Sequence, residues 1–486
     1  MGARNGMQYL AGLREQEREV WLDGERVRDV TAHVGLAGGA RAIASLYDLQ
    51  CEPEMRDEMT YVSPSSGDPV GLSFIIPRTR EELERRSRMM LNWARATCGM
   101  MGRSPDFMNV IFAAWAGAAD FFGEGERPEF AANMRRYYEY LRENDICLTH
   151  SLINLQRSRM AANAVNLQQG TALVVVRETD AGIIVRGARI LATLGPLADE
   201  IAVYAPPRMG HTQDQSPFVF SFAIPCSTPG LKFLCRDSVD EGRSHFDRPL
   251  SSRFEEMDCI VFFDDVLVPW ERVFLLGDVE RENAIFQRTG SGVHSGHQGT
   301  IKNLAKCEFV LGTALLMTQT LGNSHLPHTE ERIGELMLTT QLTRACLRAA
   351  EAGAEPDEWG IMRPDALMAT TSFNLFMNAY PRMIEILQLL GSSSFLLTPS
   401  EKDFKGPLKD HIAQYLATDS TAARDRVKLF RLAWDLAGTS FGSRQVLYER
   451  FYARDPLSRA RALAAMYPKG EVIERVQQFL GRDDEP

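Results

Sequence analysis

Long hydrophobic runs are missing from this sequence of 486 residues. No stretch of about 18 uninterrupted apolar residues occurs, so no transmembrane helix is expected. The N-terminal segment also lacks the apolar core of a signal peptide and becomes charged at once. Because both features are missing, we expect a cytoplasmic protein that has no membrane partner.

An excess of basic residues is missing too. Lys and Arg number 54 against 64 Asp and Glu, which gives a formal net charge of −10. Proteins that bind duplex nucleic acid or an anionic membrane surface normally carry a surplus of positive charge that neutralises phosphates. The balance argues against both classes, and no nucleic-acid partner is expected.

The motifs of the common metal and nucleotide sites are also missing. The 8 cysteines form no C-x-x-C pair, and no histidine cluster has the spacing of zinc ligands. We therefore expect free thiols and no metal. No G-x-G-x-x-G follows a predicted strand, and no G-x-x-x-x-G-K-[ST] occurs. A nucleotide cofactor would have to bind without these phosphate-binding loops.

The pattern of apolar residues divides the chain into a helical block, a block of alternating strands and a second helical block. We predict an α+β fold that is mostly α. Its parts are an N-terminal helical domain (1–147), a middle antiparallel β domain (148–275) and a C-terminal helical bundle domain (276–486). Within the first domain, the charged segment 78–89 is predicted to be a solvated helix face.

Two segments near the first domain boundary contain candidate catalytic side chains. Arg103 follows two glycines that let the backbone approach a neighbour closely, and its planar cation suits a phenolate, carboxylate or flavin oxygen. Ser104 and Pro105 match the N-cap and first position of a helix, so a helix start with a surface arginine is the alternative. His150 lies where strands begin and suits a general base near neutral pH, or else a packed core position.

Two further segments have weaker signals. Thr193 ends a predicted strand before a Gly-Pro break, where a hydroxyl group and free amides could bond a heterocycle, although a plain loop is the simpler interpretation. Arg444 lies in a Gly/Ser-containing segment between predicted helices and could pair with a phosphate. Such clusters fit helix caps equally well.

Six segments occur in one order along nearly the whole chain: GMMGRSPDF, the segment around His150, RETDAGIIVRGARILATLGPLADE, PLSSRFEEMDCIVFFDDVLVPWERVF, YPRMIEILQLLG and FGSRQVLYERFYARDP. Together they resemble the 4-hydroxyphenylacetate 3-monooxygenase family, the large oxygenase component of two-component flavin-dependent aromatic hydroxylases. The resemblance implies an acyl-CoA-dehydrogenase-like fold, reduced FAD at the seam between domains and a homotetramer. It also implies a separate NAD(P)H:flavin reductase that supplies FADH2 by diffusion.

The resemblance further implies a chemistry and a set of site residues. FADH2 reacts with O2 to give a flavin C4a-hydroperoxide, and a phenolic substrate is hydroxylated ortho to its hydroxyl group. Arg103 would stabilise phenolate charge, and His150 would accept or orient the phenol proton. The implied substrate-binding positions are Arg103, Ser104, Phe107, His150, Ala205 and Pro206. The implied cofactor-binding positions are His150, Ser151, Leu152, Gln156, Arg159, Thr193, Arg444, Tyr452, Ala453, Arg454 and Asp455.

The sequence departs from the family pattern beside the predicted site. Phe107 stands where the family motif has tyrosine, so the hydroxyl group that would bond the substrate oxygen is missing. Cys98 and Leu155 are further departures. The substrate is therefore left open among hydroxyphenylacetate-like phenols, halogenated or nitrated phenols and a ring tethered to a larger molecule. Phe107 favours an apolar or electron-poor ring.

Other classes of protein fit parts of the pattern. An acyl-CoA-dehydrogenase-like flavoprotein would share the fold and oxidise its substrate without O2. A 4-hydroxybutyryl-CoA dehydratase-like protein would need an iron–sulfur cluster, but Gly102 and Leu304 occupy positions where it needs cysteines. A helical scaffold that stores flavin is the non-enzymatic alternative, in which Arg103 and His150 are structural.

Overall fold

In the computed structural model, which describes residues 2–155, 170–205 and 212–481, helices precede and follow a region of strands. The helices are α1 (Gly6–Glu15), α2 (Ala37–Cys51), α3 (Arg56–Met59), α4 (Arg80–Ala96), α5 (Pro105–Gly117), α6 (Asp120–Gly123), α7 (Glu129–Asn144), α8 (Val279–Arg288), α9 (Ser291–Leu321), α10 (Pro327–Ala352), α11 (Ala366–Gly391), α12 (Lys409–Tyr415), α13 (Ala423–Ala437), α14 (Ser440–Phe451), α15 (Pro456–Met466) and α16 (Lys469–Gly481). The strands are β1 (Glu19–Leu22), β2 (Glu25–Val27), β3 (Thr60–Val62), β4 (Pro69–Gly71), β5 (Leu148–Ser151), β6 (Ile153–Asn154), β7 (Val174–Thr179), β8 (Gly182–Thr193), β9 (Glu200–Val203), β10 (Phe220–Pro225), β11 (Leu231–Cys235), β12 (Asp258–Pro269), β13 (Val273–Leu276), β14 (Glu355–Pro356) and β15 (Met362–Arg363). The predicted α+β class, mostly α, is confirmed.

The described strands of the middle region form two main sheets. The larger has the order β2-β1-β11-β12-β8-β6, with β7 also pairing with β8, and the smaller has the order β13-β10-β9-β5. Most pairs are antiparallel as predicted, but β1 pairs with β11 and β5 pairs with β9 in parallel. Strands β1 and β2 come from the N-terminal block. The sequence pattern does not predict them, because three or four residues are too short to show a period.

Helix α4 differs from the solvated face predicted for segment 78–89. Thr79 and Glu82 form a capping box at its start, which satisfies two free backbone donors. One side of the helix is buried, and Arg86 on that side is 1 % exposed. Its Nη2 lies 2.8 Å from Nδ1 of the buried His294 in α9. The prediction was wrong there because a charged side chain can be buried when a distant element supplies a polar partner.

One continuous hydrophobic core joins the N-terminal helices, both sheets and the C-terminal helices. The 31-residue helix α9 passes through it and contacts α4, α5, α10 and α11. Gly290 and Gly322 flank this helix in left-handed backbone (φ 67° and 69°). The connection between α4 and α5, strand β5 and helix α14 approach one another beside this core. Among the described helices, none combines the length and the apolar composition of a membrane span.

Candidate active site

Arg103 lies in the short connection between α4 and α5. The backbone at Gly99 is left-handed (φ 68°), and a Cβ there would collide with the backbone of helix α9. A Cβ at Gly102 would overlap with the hydroxyl group of Tyr448 on α14. The two glycines thus permit the close approach that the sequence predicts, since any other residue would push this loop away from α9 and α14.

Helix α5 begins at Pro105, two residues after Arg103. Ser104 takes the N-cap position and Pro105 follows in the first turn, as predicted, although the Ser104 side chain makes no capping bond. This start places the buried Phe107 beside the two candidate catalytic residues. The Phe107 ring centroid lies 4.0 Å from Arg103 Cζ and 5.5 Å from the ring centroid of His150.

The guanidinium group of Arg103 is surrounded by aromatic rings. Beyond Phe107, its Cζ lies 5.0 Å from the ring centroid of Tyr452, and its Nη1 donates a 2.6 Å hydrogen bond to the hydroxyl group of Tyr448. Its Nε is buried and has no hydrogen-bond partner among the described residues. This group forms no ion pair with a carboxylate in that part of the chain. The site therefore contains a positive charge and a free donor that an anionic oxygen would satisfy.

His150 lies on β5 and is 6 % exposed. Its ring stacks against the rings of Phe107 and Tyr204, with centroid-to-centroid distances of 5.5 and 6.0 Å. Its Nδ1 is buried without a partner in the described ranges. Burial, and then the charge of Arg103, hold the pKa of His150 well below 6.5. A neutral imidazole can orient or accept a phenol proton through a hydrogen bond, but it is a weak base.

We expect the imidazole of His150 to stay neutral between about pH 6 and 8, because burial and the nearby charge of Arg103 both disfavour its protonated form. In the NMR spectrum of ¹³C-histidine-labelled protein, the His150 signal, assigned by its loss in His150→Gln, should not titrate over this range. Arg103→Met should raise the pKa, since it removes the neighbouring cation. A His150 signal that titrates with a midpoint near 6.5 would contradict this account.

Asp258 at the start of β12 connects three of the elements around the site. Its carboxylate accepts bonds from Thr193 Oγ1 (2.7 Å), Arg444 Nε (2.7 Å) and Arg236 Nε (3.0 Å). Burial opposes its ionisation, but the two arginines prevail and hold the pKa of Asp258 well below its usual range. The sequence does not single out this residue, because its partners Thr193, Arg236 and Arg444 are distant along the chain.

Glu256 lies two residues before Asp258 and links two predicted site residues. Its carboxylate accepts a hydrogen bond from the backbone N–H of Arg103 and lies 3.4 Å from Arg444 Nη1. The guanidinium of Arg444, with 12 % of its side chain exposed, is thus paired with two carboxylates. The sequence suggested a free cation for a phosphate at Arg444. The structure differs because Glu256 and Asp258, distant in sequence, neutralise it.

The other predicted positions fall in three groups. The first lies in or next to strands β5 and β9: Ser151 is buried, the carbonyl of Leu152 accepts a bond from Arg189, and the Ala205 N–H donates a 2.8 Å bond to Glu282. In the segment after α14, Tyr452 stacks on Tyr448, Ala453 accepts a bond from Arg459, Arg454 has a φ of 83°, and the exposed Asp455 caps α15. Gln156, Arg159 and Pro206 lie outside the described residues.

A buried charge cluster lies beside the Tyr448–Tyr452 pair, with Lys302 Nζ 5.5 and 5.2 Å from the two ring centroids. Lys302 Nζ donates to both oxygens of Glu449 (2.5 and 2.6 Å), and Lys306 Nζ bonds the same carboxylate and Gln445 Oε1 (2.7 Å). The three charged side chains are 2 % exposed or less. Two lysines share one carboxylate here, and no sequence pattern predicts this cluster because lysine and glutamate normally mark solvated helix faces.

Comparison with solved structures defines the class of fold. The chain superimposes on an archaeal 4-hydroxybutyryl-CoA dehydratase from N. maritimus with a TM-score of 0.88, 17 % identity and coverage of 99 % of this chain and 95 % of the other. At that identity only the fold is shared. No group of three or more His, Cys, Asp or Glu side chains that could hold a metal ion occurs in the part of the chain that the structure describes.

Comparison with sequence families then identifies the chain. Residues 5–275 match the model of the 4-hydroxyphenylacetate 3-hydroxylase N terminal region, and residues 282–481 match the C terminal one. The 4-hydroxyphenylacetate 3-monooxygenase oxygenase component of Thermus thermophilus is 43 % identical over 98 % of this chain and 97 % of its own. A crystal structure of such an oxygenase component with FAD and 4-hydroxyphenylacetate matches with a TM-score of 0.94 and 43 % identity, over 99 % of each chain. The chain belongs to the 4-hydroxyphenylacetate 3-hydroxylase family, and the predicted family is confirmed.

Proposed function

We propose that this protein is the oxygenase component of a two-component, FADH2-dependent monooxygenase that hydroxylates a phenolic ring ortho to its hydroxyl group. The observation that carries the proposal is the arrangement of Arg103 and His150 across Phe107. A cation without a carboxylate partner and a neutral imidazole, each with a buried free nitrogen, face the same aromatic ring. Family membership and the flavin-bound relative support the same activity.

The residues present fit FAD. The buried His150 Nδ1 atom and the Tyr452 hydroxyl group lack partners within the described ranges, as expected where a planar polar ligand binds. We propose that His150, Ser151, Thr193 and Tyr452 contact FAD, together with the other predicted cofactor positions except Arg444, which Glu256 and Asp258 neutralise. When bound, reduced FAD supplies two electrons to O2, so that one oxygen atom enters the substrate and the other leaves as water.

The side chains of the chain itself bind and orient the phenol. Arg103 binds the phenolate oxygen through its free N–H groups, and His150 orients or accepts the proton. Phe107 forms an apolar wall against the substrate ring, with Ser104, Ala205 and Pro206 completing the proposed substrate contacts. Because His150 and Phe107 are buried, the reacting atoms are shielded from water, which would otherwise divert the reaction.

The proposal includes two kinds of partner. A separate NAD(P)H:flavin reductase supplies FADH2 by diffusion, and further copies of this chain complete a homotetramer in the cytoplasm. The surface of helix α16 is evidence for this assembly. None of its residues is buried, and Val472, Ile473, Val476, Phe479 and Leu480 form one apolar stripe of which each side chain is 48 % exposed or more. An exposed apolar stripe of this size is typical of an interaction surface, and a second copy of this chain would bury it.

We expect Val476→Asp to weaken the assembly, because it places a charge in the middle of the apolar stripe of α16. Burial of a valine contributes about 1.5–3 kcal/mol, so the dissociation constant should rise about tenfold or more. Sedimentation velocity measures the change. Gln478→Asp, on the opposite side of the same helix, is the matched control and should leave the mass unchanged. Equal masses for the two variants would contradict the proposed interface.

The proposed activity can be tested without the reductase. The purified protein is supplied with chemically reduced FAD, O2 and either 4-hydroxyphenylacetate or 4-nitrophenol, and the products are separated by chromatography. The proposal predicts a dihydroxylated product and tighter binding of reduced than of oxidised FAD. A protein that retains oxidised FAD and forms no hydroxylated product from any phenol tested would instead fit the acyl-CoA-dehydrogenase-like alternative.

A further inference from the structure

Tyr448 is the described side chain that directly bonds the Arg103 guanidinium group. Its hydroxyl group accepts the hydrogen bond from Arg103 Nη1 at 2.6 Å, across 345 positions of sequence. The other bond from the same nitrogen goes to the carbonyl of Gly102 at 3.3 Å. The orientation of the guanidinium is therefore set from helix α14 and from its own loop, while its Nε is left free.

Helix α14 is itself fixed against this loop. Gln445 Nε2, one turn before Tyr448, donates a 3.0 Å bond to the carbonyl of Met100. The ring of Tyr448 stacks on that of Tyr452 with centroids 4.5 Å apart and an interplanar angle of 4°. Gly102 leaves room for the Tyr448 hydroxyl group, since a Cβ there would overlap with it. The loop and the helix thus fit together at Met100 and at Gly102, and the stack on Tyr452 holds the Tyr448 ring, so that its hydroxyl group has little freedom to move.

The residue at position 107 makes this contact more important. The Phe107 ring lies against the guanidinium group at 4.0 Å but offers no hydroxyl group to hold it or the substrate oxygen. An aromatic face attracts a cation without fixing its rotation about the ring normal. A short hydrogen bond at one nitrogen does fix that rotation. Stacking on Phe107 and bonding to Tyr448 together determine where the free N–H groups of Arg103 point.

We infer that Tyr448 is a positioning residue that orients Arg103 so that its free N–H groups meet the oxygen of a bound phenolate. This inference rests on the proposed function, because it assigns the free donors of Arg103 to the phenol oxygen. The hydroxyl group of Tyr448 acts through Arg103 and makes no contact with the substrate. Loss of this hydroxyl group leaves the charge in place but lets the guanidinium rotate, so that its hydrogen bonds to an anion weaken.

The test measures phenolate binding rather than turnover. 4-Nitrophenol is the probe, because its anion absorbs visible light, and it is titrated into the full-length protein with FAD present at a pH where the free phenol is ionised. Tyr448→Phe keeps the ring and its stack and removes only the hydroxyl group. We expect the dissociation constant for nitrophenolate to rise about tenfold. In an Arg103→Ala background the same change should have no further effect, because the group that Tyr448 orients is gone.

Tyr380→Phe is the matched control. Tyr380 is fully buried on α11, and its hydroxyl group has no partner among the described residues, so this variant should bind nitrophenolate as the wild type does. Wild-type affinity in Tyr448→Phe, or an equal additional loss in the Arg103→Ala background, would overturn the inference while leaving the proposed function intact. Equal binding by wild type and Arg103→Ala, or no binding by either, would contradict the phenol site itself.

Discussion

Arg103→Ala abolishes hydroxylation, lowering kcat/KM by about 10²–10³-fold or more, the range found when a preorganised charged donor is lost from a reacting oxygen. The reason is the position of this guanidinium group, which has no carboxylate partner in the described part of the chain and lies against Phe107 with a free Nε. The measurement is hydroxylated product formed per O2 consumed, with reduced FAD in excess. O2 consumption should continue, because the flavin itself is unchanged.

The control for this variant is Arg186→Ala. Arg186 is half-exposed and pairs with Asp265 on the surface of the larger sheet, so its loss should change neither product formation nor folding. Arg103→Ala should also keep the wild-type sedimentation profile, because the Arg103 charge takes part in no ion pair among the residues that the structure describes. Unchanged turnover in Arg103→Ala would show that the active site lies elsewhere.

Glu449→Gln produces the largest loss of stability that we expect from a single conservative change. It leaves Lys302 and Lys306 buried without a carboxylate, and removal of one partner from a buried ion pair costs about 3–5 kcal/mol. Thermal unfolding at pH 7 measures this loss. The matched control is Glu308→Gln on α9, whose partly exposed carboxylate accepts bonds from Arg95 and Arg344 and whose loss should cost about 1 kcal/mol or less.

The pH dependence of the Glu449→Gln variant gives a second check. Burial lowers the pKa of Lys302 to about 7 even in the intact protein, and loss of Glu449 removes the attraction that opposes this shift. The unfolded chain, with lysine pKa values of about 10.4, then binds more protons than the folded one between neutral pH and pH 10. Stability of the variant should therefore rise with pH over this window. A loss of stability, relative to the wild type, that grows with pH would contradict the charge-based explanation.

The elements that the sequence predicts well are those with a strong local signal. Apolar and β-branched residues bounded by turns predict strands over 218–224, 231–235 and 258–268, and strands β10, β11 and β12 lie within two residues of these bounds. Ser104 and Pro105 mark the start of α5 for a similar local reason. The parallel pairing of β1 with β11 could not be predicted, since it joins short segments more than 200 positions apart.

Only part of the candidate site could be predicted from the sequence, because its other residues are brought together by contacts between distant segments. Arg103 and His150 could be selected from residue type and motif, and the structure places both beside Phe107. Their partners could not. Tyr448 is a tyrosine on an ordinary helix until the fold brings it to Arg103, and Asp258 is one acidic residue among many until Arg444 and Thr193 reach it. A side chain's role in such a network depends on long-range contacts that no local pattern records.

The central claim is that the protein inserts an oxygen atom from O2 into a phenol. The most direct test supplies ¹⁸O2 with reduced FAD and 4-hydroxyphenylacetate or 4-nitrophenol, followed by mass spectrometry of the product. The account predicts one atom of ¹⁸O in each hydroxylated product molecule and loss of that product in Arg103→Ala. Reoxidation of the flavin with all oxygen recovered as hydrogen peroxide, and no labelled product from either phenol, would contradict it.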